Sequence, residues 1–198
     1  MTDMTDAERA ARESFSGKGL TETQFQEAWA ISRILEAEIQ RSGSFRDKLT
    51  DYAHAFSREE KFDALRGESI LRDIFTARIG QSMNQLREGL SEREAQLPET
   101  ARERALTCAE TIGDLIRKPP TQPFYKVWDL AAVGLAREFG ITQAGAKTLM
   151  KDAYFEAHRR DLYAAAKEIE AEHYHPERKP EAPQKAPERS RSPARARG

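Results

Sequence analysis

Cysteine is nearly absent from the sequence, with one residue, Cys108, in a chain of 198. A single cysteine cannot form an intrachain disulfide, and the cytosol keeps such thiols reduced. The N-terminal stretch MTDMTDAERAARESFSGKG is polar and lacks the apolar core that a secretory signal peptide needs. We therefore expect a cytoplasmic protein, in which Cys108 lies beside Leu106 and Ile112 as a small buried hydrophobic residue.

Long apolar segments are missing as well. The composition is 38% hydrophobic and 33% charged, and no apolar run approaches the roughly 18 to 20 residues that cross a bilayer. We therefore expect no membrane partner.

An excess of one charge is also lacking, since the formal net charge is only −1. The charges are nevertheless unevenly distributed, because residues 176–198 contain seven Lys or Arg and three Glu. This segment has no large apolar side chain, so we predict a disordered basic tail behind a mildly acidic body. Such a tail can attract nucleic acid or an acidic partner, or it can serve only to keep the chain soluble.

Catalytic and cofactor motifs are not found. The sequence has no GxxxxGK[ST], GxGxxG or GxSxG, which would indicate a phosphate loop, a dinucleotide site or a nucleophile elbow. His173 and His175 are two positions apart, a spacing that does not share a helix face, and no second Cys or His cluster could complete a metal site. We therefore expect no enzymatic activity, no catalytic residue, no metal and no cofactor.

Helical signals dominate what is present, and no segment alternates apolar and polar residues between hairpin turns. Thr21 with Gln24 and Ser82 with Gln85 form capping boxes, and Gly80 suits a helix C-terminus. Further N-cap candidates are Ser44, Ser57 with Glu60, Thr100 and Thr142. The pattern predicts helices over about 5–15, 21–42, 44–79 with a kink or a break left open at Ser57, 82–97, 101–117, 123–140 and 142–173.

The clearest boundary is KPPTQP at 118–123, because its three prolines remove backbone donors and end the preceding helix. The amphipathic helices on either side must pack on one another to bury their apolar faces. We expect an all-α protein, a multi-helix bundle with a C-terminal helical hairpin or helix-turn-helix-like unit. The predicted domains are a polar lead at 1–19, the bundle at 20–117, the helix-turn-helix-like unit at 121–173 and the tail at 176–198.

Residues 135–150 read LAREFGITQAGAKTLM and carry the most specific pattern in the chain. Ala136 is small where a second helix would cross, Gly140 accepts a left-handed backbone, and Ile141 follows as an apolar plug. Thr142 can begin the second helix, with Ala146 turned back toward the core. The stretch resembles the helix-turn-helix motif of bacterial DNA-binding proteins over 131–151. Residues 52–90 are also similar to uncharacterised proteins of bacterial mobile elements.

The resemblance implies double-stranded DNA as a partner and a DNA-binding face on the second helix. Gln can pair with adenine edges and Lys with guanine or phosphate, whereas arginines farther along would contact the backbone without sequence preference. The implied function is that of a non-enzymatic regulator or accessory factor in handling plasmid or mobile-element DNA. The residues assigned to DNA are Thr142, Gln143, Lys147, Thr148, Lys151, Arg159 and Arg160.

A plain helical hairpin remains the alternative, because glycine at one helix end and threonine at the next N-cap suit any short joint. Gly145 inside the second helix, a following helix of roughly 30 residues and a nearly neutral local charge count against a standard groove reader. Under this alternative the chain is an α-helical protein-interaction or adaptor module with no nucleic-acid role. Its partner would be another protein or a second copy of the chain.

Overall fold

The computed structural model describes residues 5–117 and 122–174, and within these ranges it contains only α-helices and connecting turns. The expected all-α, multi-helix class is confirmed for this part of the chain. The predicted tail at 176–198 lies outside the described residues. In the described ranges the helices are α1 Asp6–Ser16, α2 Glu22–Ser42, α3 Arg46–Glu60, α4 Ala64–Ile79, α5 Met83–Ala95, α6 Glu99–Arg117, α7 Phe124–Phe139, α8 Gln143–His158 and α9 Leu162–Tyr174.

Local capping chemistry sets several of these ends. The capping boxes predicted at Thr21 and Ser82 are both formed, each with the glutamine three residues later. Gly80 ends α4 in the left-handed region, with φ at 79°. The N-caps predicted at Ser44 and Thr100 were wrong: the residue before α3 is Phe45, which makes no side-chain capping bond, and α6 already begins at Glu99.

The break that was left open near Ser57 lies a few residues later. Lys61 adopts a left-handed backbone, with φ at 59°, and Asp63 caps α4 by accepting from the Arg66 N–H at 2.9 Å. Ser57 is buried inside α3 and donates its hydroxyl to the Asp63 carbonyl at 3.2 Å. The predicted capping box of Ser57 with Glu60 is therefore not formed, because Ser57 bonds across the turn instead.

A second break divides the predicted helix at 142–173. Helix α8 ends at His158, Arg159 adopts a left-handed backbone with φ at 52°, and α9 follows. The Asp161 carboxylate accepts from the Ala164 N–H at 2.9 Å, as an N-cap residue does. The helix after the turn is therefore 16 residues long rather than roughly 30.

The apolar side chains form two separate cores. The first is built by α1 to α5 around Phe25, Phe56 and Phe75, and it also takes in Phe15 of the predicted polar lead. The second is built by α6 to α9 around Trp128, Leu135 and Met150, among others. Helix α6 faces α7, α8 and α9 with one apolar stripe: Ala105, Ala109, Ile112 and Ile116. The boundary between the two cores thus lies between α5 and α6. The sequence had instead predicted one bundle over 20–117, with α6 in the same unit as the preceding helices.

Candidate nucleic-acid interface at the turn between α7 and α8

Three consecutive residues form the turn between α7 and α8, and each has a defined local conformation. Gly140 ends α7 with φ at 64°, in the left-handed region. Ile141 follows as a plug that is only 3% exposed, and its N–H donates to the Ala136 carbonyl at 3.0 Å. Thr142 then caps α8 by accepting from the Gly145 N–H at 2.9 Å. The residues of this turn therefore adopt the conformations predicted from their types.

Small side chains allow the two helices to approach closely behind this turn. Ala136 of α7 and Ala146 of α8 are both buried in the second core. The inner face of α8 continues through Met150 and Ala153, while Leu149 is only partly buried. Since alanine has no atoms beyond Cβ, larger residues at these positions would push α8 away from α7 and α6.

The outer face of α8 presents four of the predicted DNA-binding residues. Thr148 and Lys151 are exposed, and Gln143 and Lys147 are partly exposed. The Lys147 ammonium lies 2.5 Å from a carboxylate oxygen of Asp129 on α7, so much of its charge is locally balanced. These four side chains share one helix and are all solvent-accessible to some degree.

The remaining predicted residues are placed differently. Thr142 is buried, and its hydroxyl donates to Glu94 and accepts from the Gly145 N–H. It is therefore not available to a base edge. Arg159 and Arg160 are exposed beyond the far end of α8, about 25 Å from Thr142 at 1.5 Å per residue. Arg160 forms an ion pair with Glu168 of α9. The structure therefore separates the two arginines from the first turn of α8.

Two consecutive residues of α5 clasp the turn, a feature that the sequence did not indicate. The Arg93 guanidinium donates to the Gly140 carbonyl at 3.3 Å. The Glu94 carboxylate accepts from the Thr142 N–H at 2.9 Å and from the Thr142 hydroxyl. A cation at the C-terminus of one helix and an anion at the N-terminus of the next both complement the helix dipoles. We refer to Arg93 and Glu94 as the α5 clamp.

Gly145 leaves room for the Glu94 side chain of this clamp. A Cβ placed on Gly145 would lie 2.7 Å from Cδ of Glu94, closer than Cβ contacts in proteins. The glycine inside α8 therefore lets the Glu94 carboxylate reach the first turn. Glu94 belongs to SEREAQ, whose mixed charges are typical of a solvated helix face. No local signal could have identified its contact with a residue 48 positions later.

The ionisable groups of α7 and α8 balance one another. The two helices contain as many acidic as basic side chains. The basic ones are Lys126, Arg137, Lys147 and Lys151, and the acidic ones are Asp129, Glu138, Asp152 and Glu156. Helix α6 pairs with two of those acids, since Arg102 lies 3.2 Å from Glu156 and Arg104 lies 3.2 Å from Glu138. Pairing with α6 therefore reduces the repulsion that a polyanion would meet near these helices.

Cys108 lies beside the Arg104 and Glu138 pair and is half-buried rather than fully buried as expected. Burial raises the pKa of the Cys108 thiol, and the nearby Glu138 carboxylate raises it further, while Arg104 acts in the opposite direction. The hydrogen bond with Glu138 also raises the pKa of Arg104. At neutral pH the thiol is therefore protonated and a poor nucleophile.

Two cavities flank the α5 clamp where the two cores meet. One measures about 630 Å³ and lies between α5 and α8, with Glu88 and Ser91 on one side and Thr148 and Asp152 on the other. A second, of about 270 Å³, lies between Leu86 and Leu90 of α5 and helix α7 together with Gln143. Clefts that are open to solvent thus border the clamp on both sides.

Comparison of the chain with protein-family models, curated proteins and solved structures finds no match in any of the three. The helices of the described residues define the class of the protein, which is all-α and multi-helix. In residues 5–117 and 122–174 no helix is both long and apolar enough to cross a membrane. The same ranges contain no group of three or more His, Cys, Asp or Glu residues placed to hold a metal ion. His175 and the side chain of His173, whose spacing in the sequence was considered for a metal site, lie outside the described part of the chain.

Proposed function

We propose that this chain is a non-enzymatic DNA-associated protein that docks α8 on double-stranded DNA. The observation that carries the proposal is the turn: a left-handed Gly140, a buried Ile141 and an N-capping Thr142 join two helices that bury Ala136 and Ala146 in the same core. In a helix-turn-helix protein the same arrangement supports a recognition helix in the major groove. A regulator or accessory factor for plasmid or mobile-element DNA, working in the cytosol, is the role we assign.

The proposed contact face consists of Gln143, Lys147, Thr148 and Lys151. Gln143 can bond an adenine edge and Thr148 can contact a thymine methyl group, whereas the lysines can bind phosphate or guanine. Lys147 would exchange its bond with Asp129 for one with DNA. Thr142 is excluded because it is buried, and Arg159 and Arg160 are assigned only to the backbone.

The test is fluorescence anisotropy of labelled duplex DNA with the full chain over a salt series. Lys147→Glu/Lys151→Glu should weaken binding by tenfold or more and reduce the salt slope, by about 1 for each phosphate that a lysine no longer neutralises. The matched control is Lys48→Glu/Lys167→Glu, which makes the same charge change at exposed positions on α3 and α9. Equal losses of affinity in the two variants would show that only net charge matters, and the proposal would fail.

A chain ending at His175 separates the contribution of the basic segment at 176–198. Salt-sensitive binding that survives truncation supports α8 as the contact. Binding that disappears with the segment alone would assign all the affinity to that segment, and α7 and α8 would then form only a structural joint.

A protein-interaction module is the second candidate, favoured by apolar side chains on the outside of α7. Leu130 is 67% exposed and Tyr125 is 62% exposed, so neither is part of the second core. Exposed apolar residues mark a surface for another protein when they form a contiguous patch. If this candidate is correct, duplex DNA does not bind, and sedimentation shows self-association of the full chain that Leu130→Ser abolishes.

A further inference from the structure

The junction between the two cores combines clefts that are open to solvent with a specific polar contact. Helix α5 belongs to the first core, and the turn between α7 and α8 belongs to the second. Cavities of about 630 and 270 Å³ lie on either side of the α5 clamp. Since both are clefts open to solvent, α5 and this turn share little packed apolar surface beside the clamp, and the clamp supplies polar contacts between them.

We propose that the α5 clamp is a latch that holds the start of α8 closed, and that the latch opens before DNA docks. This inference rests on the proposed DNA function and adds regulation to the same site. Glu94 covers Thr142 and lies against Gly145, so the latch occupies the first turn of α8. The negative charge of Glu94 also repels DNA phosphate. It does so at the N-terminal end of α8, the end of a recognition helix that normally lies closest to the groove.

Opening requires no disruption of either core. The bonds to be broken are those from Arg93 to Gly140 and from Thr142 to Glu94, and Arg93 is exposed to water. Water can replace these hydrogen bonds when the latch opens. The apolar side chains of α1 to α5 and of α6 to α9 stay buried in their own cores. The closed and open states therefore differ by polar contacts at one junction.

The direct test compares Glu94→Gln with Glu88→Gln in the anisotropy assay. Both changes remove one negative charge from the same side of α5, and both residues line the same cavity, but only Glu94 bonds to Thr142. We expect Glu94→Gln to raise the affinity for duplex DNA about fivefold or more over wild type, within the usual range of coupling between two states. Glu88→Gln should change it by less than about twofold, as one rim charge does.

Amide hydrogen exchange on the same variants reads the latch without DNA. Glu94→Gln should speed exchange at the Thr142 amide, which bonds to Glu94, and at the Gly145 amide of the same turn, by about tenfold. Exchange at Ile74 and Ile112, inside the two cores, should be unchanged. Faster exchange at all four sites would indicate general destabilisation and would overturn the inference.

A second route opens the latch without removing its charge. Gly145→Ala places a Cβ against the Glu94 carboxylate and should increase DNA affinity as Glu94→Gln does. In a Glu94→Ala background the same change should have no further effect, because nothing remains to be displaced.

The outcomes separate the two proposals. If wild type and Glu94→Gln bind DNA equally, the latch inference fails and the DNA function stands. If no variant binds DNA, the proposed function fails, and the regulatory inference that depends on it fails with it. Hydrogen exchange then still reports whether the clamp opens.

Discussion

At the scale of single residues, the fold changes the proton affinity of Glu27 on α2. Burial raises the pKa of its carboxyl, and the charges of Glu59 and Glu60 on α3 raise it further. Glu60 also accepts from the Gln24 amide at 2.8 Å, so this carboxylate is held at the crossing of the two helices. The folded protein therefore binds a proton at Glu27 more tightly than the unfolded chain does.

This raised pKa predicts a pH-dependent effect of Glu27→Gln. The favourable contribution of protonated Glu27 is complete below its unfolded pKa and is lost as pH rises through the higher folded pKa. At pH 7 the uncharged glutamine should stabilise the protein by about 0.2–0.5 kcal/mol, as removal of a like-charge helix pair does. Thermal melts at pH 7 and pH 4 check this, and a gain that does not shrink at pH 4 would contradict it.

At the scale of helices, glycine has different roles at different contacts. A Cβ on Gly67 of α4 would lie 2.0 Å from the Ser57 hydroxyl oxygen and 3.2 Å from the Ala53 carbonyl on α3, whereas one on Gly134 of α7 would meet no atom within 4 Å. Gly67 is therefore required by the α3 and α4 crossing, and Gly134 is not required by packing.

The two positions form a matched pair for mutation. Gly67→Ala should destabilise the protein by about 1–3 kcal/mol, because α3 and α4 must separate. Gly134→Ala should stabilise it by about 0.5–1 kcal/mol, because alanine loses less backbone entropy in a helix. Urea denaturation measures both changes. The same sign for the two substitutions would show that propensity, rather than the crossing, decides.

Helix ends were the features that local sequence predicted best. The capping boxes at Thr21 and Ser82 are formed because both partners lie within one helical turn. The single helix predicted over 142–173 was wrong because Asp161 caps a new helix after a left-handed Arg159. Glycine in a sequence indicates a possible left-handed backbone, whereas arginine does not, so the turn at Arg159 could not be recognised from its residue type.

At the scale of the whole molecule, the two cores predict two regions of local stability. Ile74 is fully buried in the first core and Ile112 is almost fully buried in the second. Each substitution to alanine should cost about 2–5 kcal/mol. Native-state hydrogen exchange should show reduced protection from Ile112→Ala mainly in α6 to α9, and from Ile74→Ala mainly in α1 to α5. A uniform decrease across all helices would mean that the cores unfold together.

Residues within three or four positions of one another specify the all-α class, most helix ends and the conformation of the turn at Gly140. Packing between distant helices, in contrast, places α6 in the second core and Glu94 over the start of α8. Both depend on which helix faces meet, and Thr142 lies 48 positions from Glu94. Charged residues on a helix look alike in sequence whether they face water or another helix, so only packing distinguishes them.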